Sequence, residues 1–333
     1  MRIAVLFCGG TLVMEENERG VWQVPPSDHA VENLLTLEPR LSEIAELEVA
    51  YVDNIDSANI TPAHWDRMAD EVASRYATHD GFVVTHGTDT MAYTASALSF
   101  ALRDVGKPVV FTGAQIPGRF IETDARRNFV NAVRIAAMDL SGVFVVFDRS
   151  VILGARATKV SESKLSAFAS INREPVGEIR ADVRFRDDAR GRHDRALQLE
   201  KGFDPNITVA TLFPGTSVTM LLDILEGRTS GLVLRAYGTG NIAADYLEVL
   251  RKARELGVPV VVTSQCLEGA TRMERYEVGK RALDMGAIQA FDMSMEAIIT
   301  KLMWVLRRAS DPEKVGRLMR TDLAGEVRPH PGG

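Results

Sequence analysis

The stretch Gly81-Phe82-Val83-Val84-Thr85-His86-Gly87-Thr88-Asp89-Thr90 is a short apolar run that ends in small and polar residues. After it, Met91-Ala92-Tyr93-Thr94-Ala95-Ser96-Ala97-Leu98-Ser99-Phe100-Ala101-Leu102 has no Gly or Pro and carries apolar residues at helical spacing. The pattern predicts a buried strand, a polar turn and a helix, with Thr88 and Asp89 on the turn. At the carboxyl end of a buried strand such a turn faces a crevice, where the next helix offers free backbone N–H groups and the positive end of its dipole. Thr88 or Asp89 also suits the plain role of helix cap, and the turn alone does not separate the two.

Moving outward, the same grammar repeats. Upstream, Met1-Arg2-Ile3-Ala4-Val5-Leu6-Phe7 reads as the first strand and ends in Cys8-Gly9-Gly10-Thr11, where adjacent glycines permit a sharp turn and close backbone approach. A helix over 27–37 leads to the strand Leu47-Glu48-Val49-Ala50-Tyr51-Val52, which runs into Asp53-Asn54-Ile55-Asp56-Ser57-Ala58-Asn59. Thr61-Pro62 then opens a helix with Trp65, Met68, Ala69 and Val72 on its apolar face, and His64 in its first turn reads as a capping or solvated residue. Downstream come the strand Lys107-Pro108-Val109-Val110-Phe111-Thr112, the turn Gly113-Ala114-Gln115-Ile116-Pro117-Gly118, a helix over 124–138 and the strand Gly142-Val143-Phe144-Val145-Val146-Phe147. A single short strand over 151–159 ends in Lys159. Strict alternation of strand and helix argues an α/β fold with a larger, mainly parallel N-terminal sheet covered by helices on both faces.

At Arg184-Phe185-Arg186-Asp187-Asp188-Ala189-Arg190-Gly191-Arg192-His193-Asp194-Arg195 charges of both signs crowd together with little to bury. Residues 184–206 are therefore expected to link an N-terminal domain over 1–183 to a smaller C-terminal α/β domain over 207–333. In the latter, strands near 207–212, 231–234 and 258–263 alternate with helices, the last of them near 295–307; the tail 328–333 is expected to be disordered. The polar, aperiodic stretch 15–20 reads as a mobile lid. The 333 residues include 46% apolar types without a run near the ~20 that a membrane span needs, so no membrane partner is expected. With 39 basic against 45 acidic residues the chain offers no general phosphate-binding face, so nucleic acid is not an expected partner. Two distant cysteines, Cys8 and Cys266, support neither a disulfide scaffold nor a thiolate metal site, and the setting reads as cytoplasmic.

Thr11, Asp56-Ser57, Thr88-Asp89 and Lys159 all lie at or just past strand ends, which in a parallel sheet share one edge. Together, Gly9-Gly10-Thr11, His86-Gly87-Thr88-Asp89-Thr90-Met91, Thr112-Gly113-Ala114 and Thr158-Lys159 resemble the motifs of the L-asparaginases, and Ile298-Ile299-Thr300-Lys301-Leu302-Met303-Trp304 extends the resemblance over nearly the whole chain. The sequence is most similar to the cytoplasmic, type I and archaeal-like branch. This resemblance implies hydrolysis of L-asparagine to L-aspartate and ammonia, without metal or cofactor, by a homodimer or a homotetramer built from dimers. It implies Thr11 as nucleophile and Thr88, Asp89 and Lys159 as a second catalytic group. It places Asp56 and Ser57 on the substrate's α-groups, Gly10, Gly87 and Ala114 against the substrate, and Asn241 toward a neighbouring subunit's site.

The sequence departs from the family pattern in two places. Cys8 replaces the first Thr of the usual TGGT block and reads as a buried thiol. No tyrosine follows Thr11 in the lid, where Trp22 is the only aromatic residue. A carboxamide is a poor electrophile, so attack by a hydroxyl requires proton removal, an oxyanion site and a proton for ammonia. The same groups suit L-glutamine, because one methylene is worth only ~1–3 kcal/mol in discrimination. An amidotransferase subunit that supplies ammonia is a related reading, although those subunits carry an added N-terminal domain not seen here. A non-catalytic amino-acid sensor would keep Asp56, Ser57 and Asp89 and would have lost Thr11 or Lys159.

Overall fold

Uninterrupted apolar runs make strands that need cover on both faces, and the central strands of the larger sheet are such runs. The computed structural model describes residues 1–13, 15–16, 20, 22–23 and 27–328 and divides into two units, Met1–Lys201 and Gly202–Gly333. In chain order the first unit contains β1 (Arg2–Phe7), α1 (Ser27–Thr36), β2 (Glu46–Tyr51), α2 (Pro62–Arg75), β3 (Gly81–Thr85), α3 (Met91–Ala101), β4 (Pro108–Thr112), α4 (Ala125–Ala136) and β5 (Gly142–Phe147). After these come β6 (Ser150–Leu153), β7 (Ala157–Lys159), β8 (Phe168–Ser170), β9 (Gly177–Ile179) and β10 (Val183–Phe185).

The large sheet has the order β10-β9-β6-β5-β4-β3-β1-β2. Its five strands from β2 to β5 pair in parallel, while β6, β9 and β10 form an antiparallel edge. Ile3, Val5 and Phe7 of β1 enter one core with Leu34 of α1 and Phe129, Ala132, Val133 and Ala136 of α4. The alternating period of the strand leaves the opposite face to α2 and α3. There α2 buries Trp65, Met68, Ala69 and Val72, and Trp65 Nε1 donates to Thr94 Oγ1 of α3 at 3.1 Å. Every residue of α3 except Tyr93 is buried, which explains why its sequence has no polar face.

The second unit is a parallel sheet of β11 (Ile207–Thr211), β12 (Gly231–Ala236), β13 (Val260–Ser264) and β14 (Ile288–Gln289), in that order. With them lie α5 (Val218–Glu226), α6 (Leu247–Leu256), α7 (Glu277–Asp284), α8 (Met295–Leu306) and α9 (Pro312–Arg320). Leu221, Leu225, Leu232, Leu234, Leu250 and Val262 form its core.

Several expectations are corrected. The single strand expected over 151–159 is broken into β6 and β7 by a 3-10 turn, Gly154–Arg156. Helix α9 lies beyond the last helix expected; Asp311 caps it by accepting from Lys314 N at 2.9 Å, and Pro312 opens it. Residues 184–201, expected to link the domains, pack within the first unit. Val183–Phe185 pairs with β9, and Gln198–Leu199 pairs with Leu102–Arg103. Arg192 donates to the carbonyls of Met138 at 2.9 Å and Ala136 at 3.0 Å, satisfying the open end of α4. Arg328, placed in the disordered tail, is held by Asp292, whose Oδ1 accepts from its backbone N at 2.7 Å; 329–333 lie outside the described residues. Within the expected lid, Glu15–Glu16 pairs with Trp22–Gln23, and 17–19 lie outside the described residues.

Candidate active site

The carboxyl ends of β1, β3 and β4 lie side by side, because these strands pair in parallel with Phe7 opposite Thr85 and Thr85 opposite Thr112. The chain leaving β1 turns through Gly9 (φ +93°) and Gly10 (φ +98°). A Cβ on Gly9 would lie 2.6 Å from the Ile55 carbonyl oxygen, and one on Gly10 would lie 2.7 Å from the His86 carbonyl carbon. Only glycine permits both the left-handed backbone and this approach. Thr11 emerges half-buried as the first residue of a 3-10 turn, Thr11–Val13.

Ser57 is buried at the start of the 3-10 turn Ser57–Asn59, capped by Asp56, whose Oδ1 accepts from Ala58 N at 3.0 Å. The Ser57 carbonyl accepts from Thr90 Oγ1 at 2.7 Å. A Cβ on Gly87 would lie 2.5 Å from Ser57 Oγ, so Gly10, Gly87 and Ser57 converge through glycines that leave no room for side chains. Asp56 remains exposed.

Thr88, Asp89 and Lys159 form one hydrogen-bonded group. Lys159 Nζ donates to Asp89 Oδ1 at 2.6 Å and to Thr88 Oγ1 at 2.9 Å. The Lys159 side chain is only 18% exposed against 66% for Asp89, so the ammonium points inward while its carboxylate partner faces outward. Lys159 reaches the turn because the strand break at Gly154–Arg156 lies against α3. A Cβ on Gly154 would be 2.8 Å from the Ala95 carbonyl oxygen and 2.9 Å from Ser99 Oγ.

Ala114 is fully buried in the core shared by β1 and α4. Its neighbour Gln115, not among the residues singled out in the sequence, joins the network. Thr88 Oγ1 donates to Gln115 Oε1 at 3.0 Å, and Gln115 Nε2 donates to the Glu162 carbonyl at 2.7 Å. Asp124 at the start of α4 fixes this loop by accepting from the backbone N–H groups of Gln115 and Ile116 and from Asn128 Nδ2. The only signal in the sequence was position, one residue past Thr112-Gly113-Ala114. Asn241 lies in the second unit, where Tyr237 and Asn241 exchange backbone hydrogen bonds of 3.0 and 2.8 Å around Gly238 and Gly240.

His64 Nδ1 accepts from Thr61 N at 3.0 Å, the capping role expected of it. Cys8 is buried, and burial together with the nearby Asp53 pushes its thiol above the usual range, so it holds no thiolate for chemistry. Among the described residues no group of three His, Cys, Asp or Glu side chains is placed to hold a metal ion, and no helix is long and apolar enough to cross a membrane.

The N-terminal asparaginase family model matches residues 2–190, and the glutaminase/asparaginase C-terminal domain model matches 206–319. The chain is 38% identical to the L-asparaginase of Thermococcus kodakarensis, over 98% of this chain and 99% of that one. A solved structure of the thermostable L-asparaginase from that organism superposes with a TM-score of 0.89 over 99% of this chain and 100% of that chain, at 35% identity. L-asparaginase 1 of Escherichia coli K12 is 35% identical over 98% of both chains. A glutamyl-tRNA(Gln) amidotransferase subunit of Pyrococcus horikoshii is 36% identical over 98% of this chain and 77% of its own length.

Proposed function

This chain belongs to the asparaginase family, and on that premise we propose that it hydrolyses L-asparagine to L-aspartate and ammonia with Thr11 as nucleophile. The observation that carries the reading is the Lys159–Thr88–Asp89 group: Lys159, distant in sequence from the adjacent pair Thr88-Asp89, is hydrogen-bonded to both at the strand end that Gly10 approaches. As Thr11 Oγ bonds to the carboxamide carbon, its proton ends on the departing nitrogen, so that the C–N bond breaks and NH3 leaves a threonyl ester. Water then attacks the ester and restores the Thr11 hydroxyl as aspartate departs. Thr88, polarised by the Lys159 ammonium, accepts the hydrogen bond of the attacking group in each half. Backbone N–H groups at Gly10-Thr11 and Gly87-Thr88 serve the oxyanion. Asp56, Ser57 and Asp89 take the substrate's charged α-groups, and Ala114 packs beside them.

A homo-oligomer in which Asn241 reaches a neighbour's site, working in the cytoplasm, fits this reading; the latter setting suits the two free thiols, Cys8 and Cys266. The similarity to a glutamyl-tRNA(Gln) amidotransferase component supports a second reading, ammonia supply from a glutamine-type substrate. An ammonia-release assay with asparagine and glutamine separates the two. Thr88→Val, which removes the hydroxyl and nearly keeps the volume, should lower turnover on the preferred substrate by roughly 10²–10⁴-fold with the fold intact by circular dichroism. Near-normal turnover would leave Thr88 with the structural role of holding Gln115 and Lys159.

A further inference from the structure

Gln115 faces two fixed neighbours. The Glu162 carbonyl accepts only, so the Gln115 group 2.7 Å from it has to be the Nε2 amide. The opposite atom, Oε1, then faces Thr88 Oγ1 at 3.0 Å, and because an amide oxygen only accepts, the Thr88 hydroxyl has to donate. Lys159 Nζ, 2.9 Å away on another side, donates to one lone pair of the same hydroxyl. A threonine hydroxyl has one hydrogen and two lone pairs. Its hydrogen is committed to Gln115 and one lone pair to Lys159, which leaves one lone pair open.

We propose that Gln115 is a positioning residue that locks the Thr88 hydroxyl rotor, keeping its proton on the Gln115 side so that the open lone pair faces the attacking hydroxyl or water. The inference rests on the reading of Thr88 as part of the catalytic group. Without Gln115 the rotor is free to turn its hydrogen toward the attacking group, and donor meets donor. The lock is itself held from behind. Asp124 pins the Gln115 backbone at 3.1 Å, and the Glu162 carbonyl fixes which end of the amide faces Thr88. A glutamine chosen only to fill space would need neither contact.

Gln115→Met keeps the length of the side chain and removes both hydrogen-bonding ends. It should lower kcat by about tenfold and leave KM within about twofold, the pattern of an interaction made in the transition state alone. In a Thr88→Val background the same change should cost nothing further, because two residues that act through one contact are not additive. Gln115→Glu supplies a pH readout that a packing role would not move. Its carboxyl reproduces the glutamine pattern of one donor and one acceptor only when protonated, so its activity relative to wild type should climb as pH falls toward the ordinary carboxyl value of about 4.3. The inference is overturned by unchanged kcat in Gln115→Met, by a raised KM at constant kcat, by an equal loss in the Thr88→Val background, or by a flat activity ratio for Gln115→Glu. Full activity of Thr88→Val alone would instead remove the catalytic reading on which it rests. Should Gln115→Met fail to fold, the near-isosteric Gln115→Glu still decides.

Discussion

The imidazole of His86 is 1% exposed, with Nδ1 2.7 Å from the Gly87 carbonyl and Nε2 facing no hydrogen-bonding partner among the described residues. Since that carbonyl accepts, Nδ1 carries the hydrogen and Nε2 is bare. Burial opposes charge on the ring, the hydrogen bond to Gly87 offsets little of this, and the pKa falls from 6.5 to about 4. As pH drops, the unfolded chain therefore takes up this proton near its ordinary value while the folded chain refuses it until near 4. The stabilisation is fully present above about pH 6.5 and is lost progressively down to about pH 4, amounting to about 3 kcal/mol at most. Urea unfolding at pH 7.5 and 4.5 should show wild type losing about 2–3 kcal/mol more than His86→Gln across that interval. Equal losses would mean that the folded chain takes up the His86 proton as readily as the unfolded chain does.

At the scale of elements, the break between β6 and β7 gives Lys159 its place. Gly154 lies so close to α3 that even a methyl group would press on the Ala95 carbonyl oxygen at 2.8 Å, and Gly154→Ala should destabilise the fold by about 1–3 kcal/mol. If the turn aims Lys159 at Thr88, turnover should fall by more than tenfold under conditions where the variant is still folded; retained turnover in a destabilised protein would uncouple the turn from the site. The break was not legible in Val151-Ile152-Leu153-Gly154-Ala155-Arg156-Ala157-Thr158-Lys159, because an apolar run with one glycine is also a good strand, and what forbids the strand is the distant flank of α3. By contrast β3 and β4 were legible because every residue in them is buried, so sequence and burial carry the same pattern. The charged stretch after Arg184 misled for a physical reason. An edge strand such as Val183–Phe185 needs to bury only one face, and Arg192 reads as solvent-facing until the open carbonyls of α4 are seen beside it. Gln115 was hidden for a similar reason, since its role arises from a loop anchored by Asp124 rather than from any spacing.

For the whole molecule, the alternation of strands and helices made the two α/β units readable, while the proposed homo-oligomer rests on indirect traces. The second unit contributes no member of the Lys159–Thr88–Asp89 group, yet it carries a glycine-flanked polar turn at Asn241 after β12. Its edge strand β11 leaves Val209 40% exposed, with Phe213 at 58% and Met220 at 46% following it. Large apolar side chains are exposed on the first unit as well, Phe120 and Ile121 among them, so it is the proposed homo-oligomer that would bring another copy to the Asn241 turn. If such a copy receives Asn241 near its substrate, the contact is a binding contact, equal in ground and transition states. Asn241→Ala should then raise KM several-fold with kcat nearly unchanged. The same variant should sediment like wild type, as a dimer or larger at assay concentrations, because it removes one polar contact and none of the apolar surface. A fully active wild-type monomer under those conditions would show that no second copy completes the site, and a fall in kcat at constant KM would place Asn241 in the chemistry instead.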